Sequence, residues 1–118
     1  MCASFMHLHL GVDATGLPDD LEMHHIYVED WSRGVTAEQN MVLVSIASVA
    51  DPNLAPAGKH VIHAYTPGNE PIDLWQGLDR RGDEYKKLKE ERSKVLSCNF
   101  AYLLLGETVE RVRENVNA

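Results

Sequence analysis

The chain has 118 residues, 44% of them apolar or aromatic and 25% charged, a composition that suits one globular domain and excludes both a two-domain protein and wholesale disorder. Eighteen acidic residues against 11 basic ones leave a net charge of -7, which argues against a nucleic-acid partner. Two distant cysteines, Cys2 and Cys98, form no C-x-x-C pair, no apolar run reaches the length of a membrane span, and the start lacks the basic and apolar regions of a secretory signal.

The charge divides the chain near residue 70. Residues 1–70 carry nine acids against Arg33 and Lys59, whereas residues 71–118 carry nine of each sign. The first part is predicted to be sheet-rich and the second helical, giving an α+β fold with a partial mixed or antiparallel sheet and packed C-terminal helices.

Phe5 to Leu10 alternates, with Met6, Leu8 and Leu10 on one face and Phe5, His7 and His9 on the other, the two-residue period of a strand. Pro18-Asp19-Asp20 predicts a turn, possibly a helical one in its local chemistry, and His24 to Val28 predicts a second strand. Met41 to Val49 is predicted to be a central strand, with Val42, Val44, Ile46 and Ser48 facing one way and Met41, Leu43, Ser45 and Ala47 the other. After turn residues Pro52, Pro56 and Gly58, His60 to Tyr65 predicts a fourth strand that Thr66-Pro67-Gly68-Asn69 should stop. Pro71 suits the first turn of a short helix ending near Gly77. A longer helix should start at Asp83, with Tyr85, Leu88, Val95 and Leu96 as its apolar stripe and Asp83–Lys87 and Glu90–Lys94 as i,i+4 pairs. Beyond Phe100 the apolar run Phe100–Leu105 either continues as helix through Gly106 or breaks there, and Val109, Val112 and Val116 resume helical spacing.

Six histidines offer the main chemistry. His7 and His9 share a strand face and are suited to ligate a metal or meet a cofactor; His60 and His63, three apart, point to opposite faces of a strand. An open metal site would need three or four imidazoles from different strands, with Asp13 or Glu22 as a carboxylate. The divergence of His60 and His63 speaks against that combination, and the expectation is no metal, with His7 and His9 hydrogen-bonding at a sheet edge. A small histidine metal enzyme stays as the minor alternative. No G-x-G-x-x-G run or phosphate loop is present, since Gly11 and Gly16 enclose only Val12-Asp13-Ala14-Thr15, and no G-x-S-x-G elbow occurs. Cys98 reads as a buried, quiet thiol. The basic cluster Arg80-Arg81 and Lys86-Lys87-x-Lys89 is interleaved with acids and reads as a solvated helix face. Trp31 and Trp75 read first as packing residues, with a cleft wall as the second role for Trp31.

An ordered series of segments carries a resemblance. It runs through Ser4-Phe5-Met6-His7-Leu8-His9-Leu10-Gly11 with Asp13, then Leu21-Glu22-Met23-His24-His25-Ile26, Asp30-Trp31-Ser32-Arg33-Gly34-Val35 and Gln39-Asn40-Met41-Val42-Leu43. It continues through Asp51 to Gly68, Glu70, Leu74-Trp75-Gln76-Gly77-Leu78-Asp79-Arg80-Arg81, Glu84-Tyr85-Lys86 and Glu91-Arg92-Ser93. Together these resemble the central to C-terminal part of the carotenoid cis-trans isomerase, or prolycopene isomerase, family of plastids and cyanobacteria, over about Ser4 to Val95 and fading after residue 95. The resemblance implies an amine-oxidase-like flavoprotein of the phytoene-desaturase group, whose FAD is held by an N-terminal dinucleotide fold. It further implies a second region with a mixed sheet over a long apolar cleft, conversion of poly-cis lycopene to all-trans lycopene with reduced flavin, and peripheral membrane association.

On that resemblance the chain is expected to be part of the substrate region, divided into a sheet-rich part (1–70) and a helical part (71–118). The expected fragment would hold no FAD of its own, would be inactive alone and prone to self-association. A noncatalytic carotenoid-binding or protein-interaction module is the alternative. The residues matching distinctive family text, and able to line or support a cleft, are His7, His9, His24, His25, Trp31, Arg33, His60, His63 and Tyr65. None has an assigned catalytic role.

Overall fold

The computed structural model describes residues 4–105. Strands β1 (Ser4–Asp13), β2 (His24–Val28), β3 (Met41–Ser45) and β4 (Lys59–Glu70) form one sheet in the order β1-β4-β3-β2, and each pairing is antiparallel. A short helix α1 (Ala47–Ala50) follows β3, and a long helix α2 (Asp83–Leu105) follows β4; 3-10 turns occupy Trp31–Arg33, Pro52–Leu54 and Ile72–Leu74. The architecture is α+β, and of the two sheet types expected the antiparallel one is present.

The two-residue period decides which face is covered. Val42, Val44, Ile46, Ile62 and Ala64 are buried beneath α2, which contributes Leu96, and Met6, Leu8, Leu10, Val12 and Val95 pack around them. Each fully buried aliphatic side chain is worth about 1.5–3 kcal/mol. A helical i,i+4 ion pair is worth only about 0.2–0.5 kcal/mol, so the apolar stripe, not surface charge, seats α2. The described ion pair on that helix surface is Asp83 with Lys86, at 3.9 Å and exposed, rather than Asp83 with Lys87 or Glu90 with Lys94.

Several boundaries differ from the sequence expectation. The third strand ends at Ser45 instead of Val49: Ile46 leaves the ladder, its N–H donating to the Met23 carbonyl, and Ala47–Ala50 coil into α1. The burial alternation nonetheless continues through Ile46 and Ser48, both buried, which is why periodicity alone extended the strand. Thr66-Pro67-Gly68-Asn69 does not stop β4. The strand absorbs these residues as a bulge: Ser4 pairs with Glu70 and Met6 with Thr66, so one residue of β1 faces three of β4. Gly68 takes φ 56, a left-handed conformation that glycine adopts at low cost. Where the ladder is interrupted, the buried Thr66 hydroxyl accepts the Met6 N–H at 3.2 Å.

Pro71 lies just outside the 3-10 turn rather than within a helix, and the helix expected to reach Gly77 is that single turn. Pro18–Asp20 form a turn without helix. The apolar run is helical to Leu105, while Gly106 and the valines beyond it, like Cys2, lie outside the described residues. Cys98 is exposed, not buried, because Leu96 and not Cys98 takes the inward position on α2.

One buried polar assembly ties helix to sheet. Glu70, at the end of β4, is 7% exposed and receives both Nε and one terminal nitrogen of Arg92 from α2, each at 2.9 Å. Trp75 Nε1 donates to the same carboxylate at 2.9 Å, and its ring meets Tyr85 edge-on at 5.2 Å. Arg92 also pairs with Glu38, and its carbonyl accepts from Gln39 Nε2 at 3.0 Å. Hydrogen bonding to Glu70 above all, and then to Glu38, holds the Arg92 guanidinium more firmly protonated than usual against the opposing effect of burial.

Candidate functional site on the open sheet face

The face opposite α2 collects the polar and aromatic side chains of the strands. Register sets them in rows: His9 lies across from His63, which lies across from Ser45 and then His24; His7 lies across from Tyr65, then Leu43 and Ile26. Four strands that are local in sequence pattern thus present one surface of imidazole, phenol and aliphatic groups.

The histidine end of this surface is tightly grouped. His7 Nδ1 and His63 Nε2 are 2.8 Å apart, a hydrogen bond in which one nitrogen donates and the other accepts. The His9 and His63 rings stack with centroids 4.4 Å apart, and His7 stacks on His63 at 5.1 Å. One nitrogen from each of His7, His9 and His63 lies within 4.8 Å of the others, so these three residues have the grouping needed to hold a metal ion. Partial burial, followed by the charges of His9 and His7, pushes His63 below the ordinary imidazole range, favouring its neutral form. Tyr65 continues the stack, 4.9 Å from His63, and Phe5 lies 6.2 Å from Tyr65. A shallow depression of about 450 Å³ adjoins the group between β1, β4 and β3, bordered by Gly11, Ser45, Ala47 and Val61 beside His9 and His63.

The remaining candidates are dispersed. His24 is on the same face but at the β2 edge, with Nδ1 3.1 Å from Ser45 Oγ. His25 has the opposite parity, and its Nε2 is bonded to the Glu22 carbonyl at 2.9 Å. His60 also faces the other way and is 2.8 Å from the buried Ser48 hydroxyl, which accepts the Val61 N–H. The divergence of His60 and His63 therefore holds. It leaves His63 free to join the β1 pair across the strand boundary, which a reading within one strand does not reveal.

Trp31 does not pack into the core. It is 76% exposed on the loop after β2, because the loop is organised from within by other groups. Asp30 caps the Trp31–Arg33 turn, accepting Ser32 Oγ at 2.6 Å and Ser32 N–H at 2.8 Å. Those bonds, the hydroxyl contact foremost, hold the Asp30 carboxyl below its ordinary range. Buried Asn40 donates to the carbonyls of Asp30 and Gly34, both at 2.8 Å, and accepts the Asp30 N–H at 3.1 Å. Arg33 spends its guanidinium on the Glu38 carbonyl at 2.8 Å and on Asn40 Oδ1 at 3.4 Å. Its role is to brace the loop. Phe5, Leu43, Ser45 and Ile26 complete the open face although they are not among the candidates; their strand parity was legible, but not which histidine each would neighbour.

Comparison with known proteins follows the same surface. Prolycopene isomerase 2, chloroplastic, of an Oncidium hybrid cultivar is 40% identical over 88 residues, covering 74% of this chain and 14% of the relative. The chloroplastic prolycopene isomerase of Daucus carota is 37% identical over 87 residues, and that of Arabidopsis thaliana 35% over 88, each again with 14% of the relative covered. This chain carries a prolycopene-isomerase-like sequence. It spans about one seventh of the length of those relatives, and no family model matches.

The described residues do not fit the FAD that the resemblance implies. A dinucleotide pyrophosphate is cradled where a glycine-rich turn joins a parallel strand to a helix N-terminus. Here the described strands pair antiparallel, and Gly11 and Gly16 lie at the end of β1 and in the turn after it, with no helix following. Among the described residues no helix is long and apolar enough to cross a membrane.

Proposed function

We propose that this chain forms part of the substrate wall of an FAD-dependent isomerase that converts poly-cis lycopene to all-trans lycopene in a plastid. The observation that carries the reading is the 35–40% identity to prolycopene isomerases over about three quarters of the chain. In this reading residues 1–70 supply a sheet and residues 71–118 its helical cover, within a substrate region of the amine-oxidase-like type. The flavin and the electron chemistry belong to other parts of the polypeptide, since the residues here offer no pyrophosphate cradle.

The open face suits a hydrocarbon. Phe5, Tyr65, Leu43 and Ile26 present broad apolar surface, and the rigid antiparallel sheet behind them fixes their spacing. A polyene has no hydrogen-bonding groups, so the wall orients it through shape and ring contact. His7, His9, His63 and Tyr65 would edge the cleft; His24 would mark its far side; His25 and His60 would support the sheet from behind; Trp31 and Arg33 would belong to a braced rim. Contact with a membrane-dissolved substrate would come through peripheral association of the longer enzyme.

The test replaces the corresponding segment of a prolycopene isomerase with residues 4–95 of this chain, in cells that accumulate poly-cis lycopene, and follows the pigment by chromatography. All-trans lycopene should form, and Leu43→Asp should reduce it at least tenfold without loss of bound flavin. A chimera that folds and holds flavin yet isomerises nothing refutes the proposal.

A further inference from the structure

We propose that His7, His9 and His63 bind one divalent transition-metal ion, of the zinc type, in a three-imidazole site with an open coordination position on the sheet face. The inference does not rest on the carotenoid reading, and it departs from the sequence expectation of no metal.

Its basis is a cross-strand arrangement. His7-x-His9 puts two imidazoles on one face of β1, and β4 sets His63 directly opposite His9. Their donor nitrogens lie within 4.8 Å of one another. Zinc–imidazole bonds of about 2.0–2.1 Å in tetrahedral geometry put ligand nitrogens about 3.3 Å apart. The His7–His63 pair, at 2.8 Å, must open by about half an ångström, and the others must close.

The rings are now nearly parallel, 2° to 6° between planes, so their lone pairs run side by side. Turning the side chains toward a common point breaks the His7–His63 hydrogen bond and the stacking. It disturbs no core contact, because His7 and His9 are exposed and His63 is half-exposed on the face away from α2. Three such rearranged bonds are small beside the binding energy of a multi-imidazole site.

Surroundings favour a cation. The net charge is -7, and Lys59, on the same face of β4, is paired with Asp13 at 3.8 Å. The depression beside His9 and His63 leaves room for water or a small anion in the fourth position. An all-nitrogen donor set selects zinc, copper or nickel over magnesium and calcium, which take oxygen ligands.

The test uses the full chain after chelator treatment. Equilibrium dialysis against Zn²⁺ should give one equivalent per chain, and Co²⁺ should give the intense visible bands of four- or five-coordination. His63→Ala and His7→Ala/His9→Ala should each weaken Zn²⁺ binding at least 30-fold, with far-ultraviolet circular dichroism unchanged. His24→Ala should bind as the parent does. The inference is overturned if saturating Zn²⁺ leaves much less than one equivalent bound, or if the Co²⁺ spectrum stays that of the hydrated ion. It is also overturned if His24→Ala weakens binding as much as His63→Ala, which would mean scattered surface imidazoles, or if half an equivalent binds with dimerisation, which would mean a bridging ion. Should His63→Ala lose its fold, His63→Gln serves as the second variant under the same criteria.

Discussion

Arg92→Met isolates the energetic role of the Glu70 assembly. The Glu70 side chain is 4% exposed and that of Arg92 12%, so solvent screens neither strongly. Removing the guanidinium deletes two charge-assisted bonds of 2.9 Å and leaves Glu70 with the Trp75 indole N–H as its described donor. Breaking a buried pair from one side costs about 3–5 kcal/mol. The chain has an escape, since a carboxyl can take up a proton: for an ordinary glutamic acid of reference pKa about 4.3, neutrality at pH 7 costs about 3.7 kcal/mol. That sets the expected loss near 3–4 kcal/mol, a large part of the 5–15 kcal/mol typical of a domain.

Glu70→Met is expected to cost less, about 2 kcal/mol, because Arg92 keeps half-exposed Glu38 as a partner. The double variant Glu70→Met/Arg92→Met strands no buried charge, only the Trp75 N–H, and should lie within about 2 kcal/mol of the parent. Urea unfolding at pH 7 measures all four proteins, with tryptophan fluorescence reporting chiefly the half-buried Trp75, since Trp31 is 76% exposed. The double-mutant cycle should show coupling of at least about 2 kcal/mol. Additivity within about 0.5 kcal/mol, or a loss below about 1 kcal/mol for Arg92→Met, would refute the reasoning.

Ser32→Ala should raise the Asp30 carboxyl toward its ordinary range, since the Ser32 hydroxyl is the foremost cause of its lowering; carbon-detected NMR titration reads this. The sign is that of a carboxylate depressed in the fold: whatever stability it contributes is present above the unfolded-state pKa and is lost as pH falls through the folded one, so parent and variant should converge in strong acid. An Asp30 titration unmoved by Ser32→Ala would contradict the capping assignment. The open sheet face should also make the chain self-associate. Ile26, 63% exposed on edge strand β2, and its neighbour Leu43 are the exposed aliphatic part of that face. Sedimentation velocity should show concentration-dependent association that Ile26→Lys diminishes; a strict monomer at high concentration, with no binding of an apolar-surface dye, would count against it.

By itself the sequence determined what is local. The alternation Phe5 to Leu10, the matching period through Met41–Ser48 and the stripe Tyr85, Leu88, Val95 and Leu96 follow from the geometry of strand and helix, so the fold class and the covered face were legible. So were the shared face of His7 and His9 and the divergence of His60 from His63, which need only strand parity. Tertiary structure alone decided the rest. Whether His63 meets His9 depends on pairing between segments more than 50 residues apart, set by which register buries Ile62 and Ala64 against Leu8 and Leu10. A break signal such as Pro67-Gly68 is a local preference, and β4 overrides it because a bulge keeps Glu70 paired with Ser4 and within reach of Arg92. Trp31 and Cys98 face outward for the same kind of reason: composition makes both suitable for a core, but Asn40 fills the loop interior and Leu96 takes the inward place on the helix. Strand period is a property of one backbone, whereas a site belongs to several backbones held in register, and that register is fixed by the buried face opposite the site.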